Sequence, residues 1–413
     1  MALSPAQTKL ALKLKAEIDR AEKPHKQRVD RYKRCDDVYN AILRPTDSRW
    51  RHDLHPPFVL QLIETVVSAI VEEPSEPVVK PLTPKDKDIA PKWETLLLQQ
   101  RDNDHRAEKW PLFVRGGLVR GLAVAKIAWK QEWSETLNRT FEAVPGNMMQ
   151  EGEPTWDKEL VVDRPTFIPV DQCDFWWNPD ATSPEEIDVA YYRTYETKAS
   201  LLEAQKEGIY KDVDELQASD SQPAPRSTED SGDYGIGRSG DEVLRAGSIE
   251  VIERWTKDRL VVIADRRVVI RDEERNPFGH GLIPFVYARP LPRNGHVVGK
   301  ALPELIQDGQ IALWDLMNLQ LDNSEVMCQS VLWMPQATSD MMEATGDRFP
   351  GQRVPIDNAG QMPQWDRPNT SIIEPLLVAQ DRTLQWMKDA TGAVDYVSGA
   401  GCESDAWSSS TSL

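Results

Sequence analysis

The stretch from Arg271 to Met334 constrains the fold more than any other part of the chain. Its first half wraps turn residues around a short apolar strand, Leu282 to Tyr287. Its second half, Leu302 to Met334, carries a continuous helical pattern with Asn318, Gln320, Asp322 and Asn323 set among Leu, Ile, Met and Trp. A helix of about thirty residues is well beyond the usual globular length. A core helix of one domain should gather its polar residues on one face. Here Asp308, Gln310, Asp315, Asn318, Asp322, Asn323, Ser324 and Gln329 spread around it. That suits a helix wetted on one side and packed on both flanks, as in a ring of parallel helices.

The 413 residues allow two or three domains, and 40% hydrophobic content is enough for a core. Lys+Arg 49 against Asp+Glu 67 leaves a net charge of −18. Affinity for a nucleic-acid backbone comes from Lys and Arg neutralising phosphates, so this balance argues against a wide phosphate-gripping face. It leaves room for a surface that lets DNA pass without holding it. Cys35, Cys173, Cys328 and Cys402 show no paired spacing, so neither a disulfide scaffold nor a zinc cluster is expected. The N-terminus, MALSPAQTKLALKLK, has charges where a signal peptide needs an apolar run. No apolar run approaches the length of about 18 residues that a membrane helix needs.

Residues 4–45 read as helix, with Pro24 as a break, and Pro57 to Glu73 as a second helix. Val78 to Leu82 reads as a short strand among prolines. Residues 88–122 read as two helices joined near Glu108, the second weakened by Gly116, Gly117 and Gly121. The period then changes. Val124 to Trp133 alternates as a half-buried strand does. Residues 135–157 read as a hairpin tip or loop, and Leu160 to Val162 and Thr166 to Val170 as strands. Asp174 to Asp180 forms an aromatic turn, Asp188 to Thr197 a strand and Lys198 to Gln217 a helix broken at Gly208. Residues 218–247 form a mobile linker, rich in Ser, Asp, Gly and Pro. Ser248 to Trp255, Arg259 to Ala264 and Arg267 to Ile270 make a β-meander. Pro350 to Ile356 is a loop or hairpin, and Ile372 to Asp389 a last helix.

No motif points to catalysis. Gly235, Gly237 and Gly240 match G-x-G-x-x-G but lie in the linker with no strand before them, so a chance match is favoured. No phosphate-cradling G-x-x-x-x-G-K-[ST] occurs, and no nucleophile–base constellation stands out. His52 and His55 have the i, i+3 spacing of a ligand pair but no further ligands, so a surface loop is the better reading. His105 reads as a solvated helix end. Phe175, Trp176 and Trp177 read as a buried packing cluster rather than a ligand platform. The basic run His25, Lys26, Arg28, Arg31, Lys33 and Arg34 is interleaved with Asp30 and followed by Asp36 and Asp37, as a salt-bridged helix face would be.

Taken in order, several segments resemble the portal proteins, or head-to-tail connectors, of tailed bacteriophages. Arg31 to Tyr39 with Pro57 to Glu64 resembles the N-terminal helices of that family. Gly116 to Trp129 resembles its helix-to-strand step, and Ile168 to Phe175 with Trp177 to Asp180 its strand and aromatic turn. Val251 to Trp255 and Gly281 to Val286 resemble the small clip, and Gly299 to Asn323 the stem helix. Thr391 to Tyr396 with Ser398 and Gly399 resembles the segment after the helix that follows the tunnel loop.

The resemblance implies an α+β protomer: an α/β wing, long stem helices and a small β-containing clip, assembling into a ring. It implies a wing at 1–187, then a strand, stem-like helix and acidic linker at 188–247, and a clip at 248–298. A stem helix at 299–334, a tunnel-loop region at 335–370, a wing- or crown-proximal helix at 371–399 and a disordered tail at 400–413 complete the assignment, the crown being missing or very short. The implied protein is no enzyme and needs no cofactor or metal. It forms a homo-oligomer, typically of twelve subunits, at one capsid vertex of the virion, and assembles in the host cytoplasm without a membrane. Its implied partners are double-stranded DNA in the channel, the terminase, head-completion, adaptor or tail proteins, and the major capsid protein. A ring of about 12 × −18 charges repels the duplex more than it holds it. On this reading Asp308, Asp315 and Asp322 face the channel, and Lys300, Arg348 and Arg353 make occasional phosphate contacts. A nucleotide-using packaging enzyme and a virion interaction protein without a channel are the alternatives.

Overall fold

The computed structural model describes residues 5–42, 52–72, 77–138, 141–144, 148–151, 155–216, 248–328, 332–335, 353–356, 364–365 and 373–392. The linker at 217–247, with its glycine motif, lies outside them, as does the tail. The chain is mixed helix and sheet, as an α+β protomer requires. It divides into two compact units. The first comprises residues 1–32, 67–226 and 234–301, and the second residues 33–66, 227–233 and 302–413.

The first unit is built on a five-stranded antiparallel sheet. Its strands are β5 (Phe175–Trp177), β6 (Val189–Thr197), β7 (Ser248–Thr256), β8 (Leu260–Ala264) and β9 (Val268–Glu273), paired in that order. The expected meander is therefore β7 to β9, joined in one sheet to the two strands before the linker. Both faces of this sheet are apolar. Trp176, Tyr191, Ile252, Val261, Ile263 and Val269 lie on one face and pack against Ala11, Leu14, Ile18 and Ala21 of helix α1 (Pro5–Tyr39). Phe175, Trp177, Ala190, Val251, Val262 and Ile270 belong to the main core, with Tyr32 and Leu201 of α5 (Lys198–Lys206). The aromatic triplet is thus a packing cluster, each residue at most 2% exposed.

Helix α1 runs through Pro24 without a break. Proline removes one helical hydrogen bond, at a cost of about 3 kcal/mol. The buried residues Ala21 and His25 flank it and anchor the turns on either side. Carboxylates on α1 meet sheet arginines. The Arg266 guanidinium bonds Glu22 at 2.8 Å, Asp19 at 2.9 Å and Glu250 at 2.8 Å. Arg254 and the Tyr191 hydroxyl both donate to Glu17. Burial pushes the Glu22 carboxyl up more than any other single cause, but the bond to Arg266 together with the charges of Arg266, Lys26 and Arg193 holds it below the usual range. Arg266 sits in the β8–β9 turn at φ 52°, a strained conformation for a non-glycine residue, and its three carboxylates hold it there.

A second sheet pairs β10 (Phe285–Ala288), β1 (Ala123–Asn138) and β4 (Thr155–Val170), with β1 in the middle. The two strands expected near Leu160 and Thr166 are one. Pro165 and Pro169 are tolerated because β4 is an edge strand, where a missing N–H leaves no ladder bond unmade. Four-residue strands β2 (Phe141–Val144) and β3 (Met148–Glu151) pair antiparallel, the hairpin of the two readings of 135–157, hairpin tip or loop. Helices α3 (Ala90–Asn103) and α4 (Arg106–Arg120) meet at Asp104–His105, slightly before the expected joint at Glu108. His105 is an exposed helix end at φ 51°. Asp104 fastens this turn to β4, accepting bonds from Thr166 Oγ1 at 2.5 Å and the Phe167 N–H at 2.7 Å. Val78 to Leu82 is extended but forms no strand. Prolines deplete its donors, and Leu82 is 97% exposed.

Two predictions follow from the α1–sheet contact. Arg266→Ala leaves Glu22 and Glu250 without their counter-charge and should cost about 2–4 kcal/mol in urea unfolding; an unchanged midpoint would refute this account of the network. Burial, more than the bond from His25 Nε2 to the Cys173 carbonyl counters, pushes the His25 pKa from 6.5 down to about 4. The folded chain therefore prefers neutral imidazole. This stabilisation is full above pH 6.5 and is lost as pH falls toward 4. The fall in melting temperature between pH 7 and 5 should be smaller in His25→Gln than in the parent.

Candidate functional site: the faces of the long helix

The second unit is organised around α6 (Leu302–Cys328). The helix ends six residues before the expected Met334, because Leu332–Pro335 forms strand β11. That strand pairs in parallel with β12 (Arg353–Ile356) and antiparallel with β13 (Gln364–Trp365). Met334 and Pro335 thus belong to a strand rather than to a helix stop.

Each face of α6 has a distinct task. Gln310, Trp314 and Asn318, spaced by four residues, meet the chain around residues 52–59. Gln310 Oε1 accepts from the Val59 N–H at 2.9 Å while its Nε2 donates to the Val38 carbonyl at 3.0 Å. Asn318 brackets Leu54, accepting from its N–H at 3.0 Å and donating to its carbonyl at 3.2 Å. Trp314 Nε1 donates to the Pro56 carbonyl. These side chains complete the hydrogen bonding of a segment outside regular structure, just ahead of α2 (Phe58–Glu72). On another face, Gly309 lets α7 (Ile373–Thr391) approach: a β-carbon there would stand 2.7 Å from Met387 Cγ. Gln320 accepts from Gln380 on the same side.

A third face is left. Asp308 and Asp315 are exposed and seven residues apart, hence in one stripe, with exposed Glu304 at its start. Asp322 falls in the same stripe but is turned to His52, whose Nδ1 and backbone N–H approach its Oδ1 at 2.7 and 3.1 Å. His52, Asp322 and Glu325 each bring a donor atom within 4.8 Å of the others. The His52–Asp322 bond accounts for this grouping without an ion. His55 does not join it; it stands edge-on to Trp314 and beside Asp53.

The remaining candidates do not converge. Lys300 belongs to the first unit and is exposed; its backbone N–H bonds the Leu291 carbonyl. There Gly299 is obligatory, since a β-carbon would stand 2.3 Å from the Leu291 carbonyl oxygen. Arg353 opens β12, with its side chain outside the described residues, and Arg348 lies wholly outside them. Sequence reasoning missed that Gln310 and Asn318 serve backbone groups. The one available signal was their i, i+8 spacing on the Trp314 face.

The second unit is thus organised around one long helix with an exposed acidic stripe. The family model described as the phage SU10 portal protein matches residues 145–399, more than half of the chain, and the chain belongs to that family. It is a phage portal protein, a ring-forming structural component of the virion. The match begins after the N-terminal helices, so their likeness to a portal wing rests on the sequence resemblance alone. No curated protein matches the chain. No helix among the described residues is long and apolar enough to cross a membrane.

Gln310→Leu should cost about 1–3 kcal/mol in chemical denaturation, because it leaves the Val59 N–H buried and unpaired and removes one of the two donors to the Val38 carbonyl. If Gln310→Leu stabilised the chain, the backbone-satisfying role would be wrong.

Proposed function

We propose that this portal subunit forms a ring at one capsid vertex through which double-stranded DNA is packaged and later ejected, docking the terminase and the adaptor or tail proteins. It does no chemistry of its own and needs no cofactor. The family match carries this reading, and the exposed stripe of Glu304, Asp308 and Asp315 supports it. Carboxylates beside a duplex repel phosphate, so a channel faced with them lets DNA slide. We keep the stem at 299–334, the tunnel-loop region at 335–370 and the clip at 248–298 as proposals. The five-stranded sheet spans the proposed wing boundary at 187. Twelve copies, assembled in the host cytoplasm, is the stoichiometry proposed.

Negative-stain imaging of the purified chain should show rings with a central hole. Asp308→Lys with Asp315→Lys should leave the rings intact while lowering packaged DNA at least tenfold, because the reversed charges hold phosphate. Packaging at parental yield in that variant would remove the stripe from the channel. Equal indifference to Arg348→Glu with Arg353→Glu would remove the tunnel-loop contacts.

A further inference from the structure

The arm formed by β1 and β4 is covered at one end only. β10 pairs with β1 over Ala123 to Lys126, and α4 packs Phe113 against Ala125 and Phe167 on the same sheet face. Beyond that point the arm is a two-stranded ribbon, pairing Ile127 with Phe167 and continuing to Asn138 and Thr155. A two-stranded ribbon is marginal in water unless something packs on it. On the face that α4 covers lower down, Trp129, Gln131 and Trp133 follow Ile127 by strand alternation. Trp129 is 55% exposed and Trp133 60%. Trp129 Nε1 is tied to Asp163 across the ladder, which fixes the ring in place.

This bare face continues onto the neighbouring helix. α3 exposes Leu96, Leu97 and Trp93, the last at 54%. Between α3, the α3–α4 turn and the ribbon lies an open hollow of about 250 Å³, lined by Leu97, Trp110, Ile127 and Pro165. Arg101 and Arg106 flank it, and the Arg106 guanidinium lies 4.6 Å over the Trp110 ring. Trp93 on the helix and Trp129 and Trp133 on the ribbon, each about half exposed, exceed the scattered apolar residues of an ordinary surface, and tryptophan and arginine are the residues on which interfaces depend most.

We propose that this face, centred on Trp93, Trp129 and Trp133, is covered by a second copy of the chain in the ring. The inference rests on the ring-forming reading above and names the surface that makes it. A ring is closed by heterologous contacts, so each subunit must offer an apolar face to a different surface of its neighbour. The charge fits as well: a chain of net charge −18 has carboxylates to spare for the Arg101 and Arg106 rim of its neighbour.

The test uses the full chain carrying Trp129→Ser and Trp133→Ser. Both side chains are more than half exposed, so the circular dichroism of the variant should match the parent. Mass photometry should show rings dissociating at a concentration at least tenfold higher than for the parent. Hydrogen exchange at 127–133 and 160–163 should be slower in parental rings than in parental monomers. Parental chain that never assembles would overturn the ring reading and this inference together. Variant rings as stable as the parent, with no exchange protection on the ribbon, would overturn this inference alone. Protection that appears only on mixing with another virion protein would do the same.

Discussion

The first unit depends on closing both faces of a five-stranded sheet. A sheet with one apolar face needs one covering layer; β5 to β9 have two apolar faces and need two. α1 supplies one through Ala11, Leu14, Ile18 and Ala21, and the core around Tyr32 and Leu201 supplies the other. Hydrophobic contact alone would let a helix slide along such a surface. The charges fix its register. Arg266 can reach Asp19, Glu22 and Glu250 together in only one setting of α1, and Arg254 repeats the constraint at Glu17. Bidentate guanidinium–carboxylate geometry is what gives such contacts their directionality.

In the second unit the same logic is inverted. There a helix carries the polar groups that irregular backbone needs. Gln310 and Asn318 spend their amides on Val38, Leu54 and Val59, and so fix the approach of the chain to α2. A hydrophobic residue at Gln310 would leave the buried Val59 N–H unpaired. With that face and the Gly309 face taken, the stripe of Glu304, Asp308 and Asp315 is what remains for solvent. The mixed polarity of the helix thus has two causes, internal satisfaction of backbone and a narrow acidic surface.

Most elements were legible in the sequence because their periods are strong. The alternation from Val124, the meander after residue 248 and the last helix all appear within a few residues of expectation. The misses share a physical character: tertiary contact overruled a local signal. Pro24 reads as a break, yet buried neighbours carry α1 across it. Pro165 falls between two expected strands, yet one edge strand runs through it. Leu332 to Pro335 reads as the end of a helix, yet a parallel partner at Arg353 to Ile356, distant in sequence, draws it into a strand. The site was legible only in part. Asp308 and Asp315 are exposed, but nothing local in the sequence reveals that Asp322 faces His52, 270 residues away.

The net charge of −18 also conceals an internal sorting. On α1 the acids Glu17, Asp19 and Glu22 turn toward the sheet arginines, while Lys9, Lys13, Lys15, Arg20, Lys23 and Lys26 are exposed. The outer surface of this helix is therefore basic although the chain is acidic. Charges paired inside a network contribute little to the field outside it, so the surplus of carboxylates that solvent feels must lie on other surfaces. A formal sum taken over the sequence describes the protein at a distance. Close to the surface, the field at α6 depends on which carboxylates are exposed, and Glu304, Asp308 and Asp315 are among them.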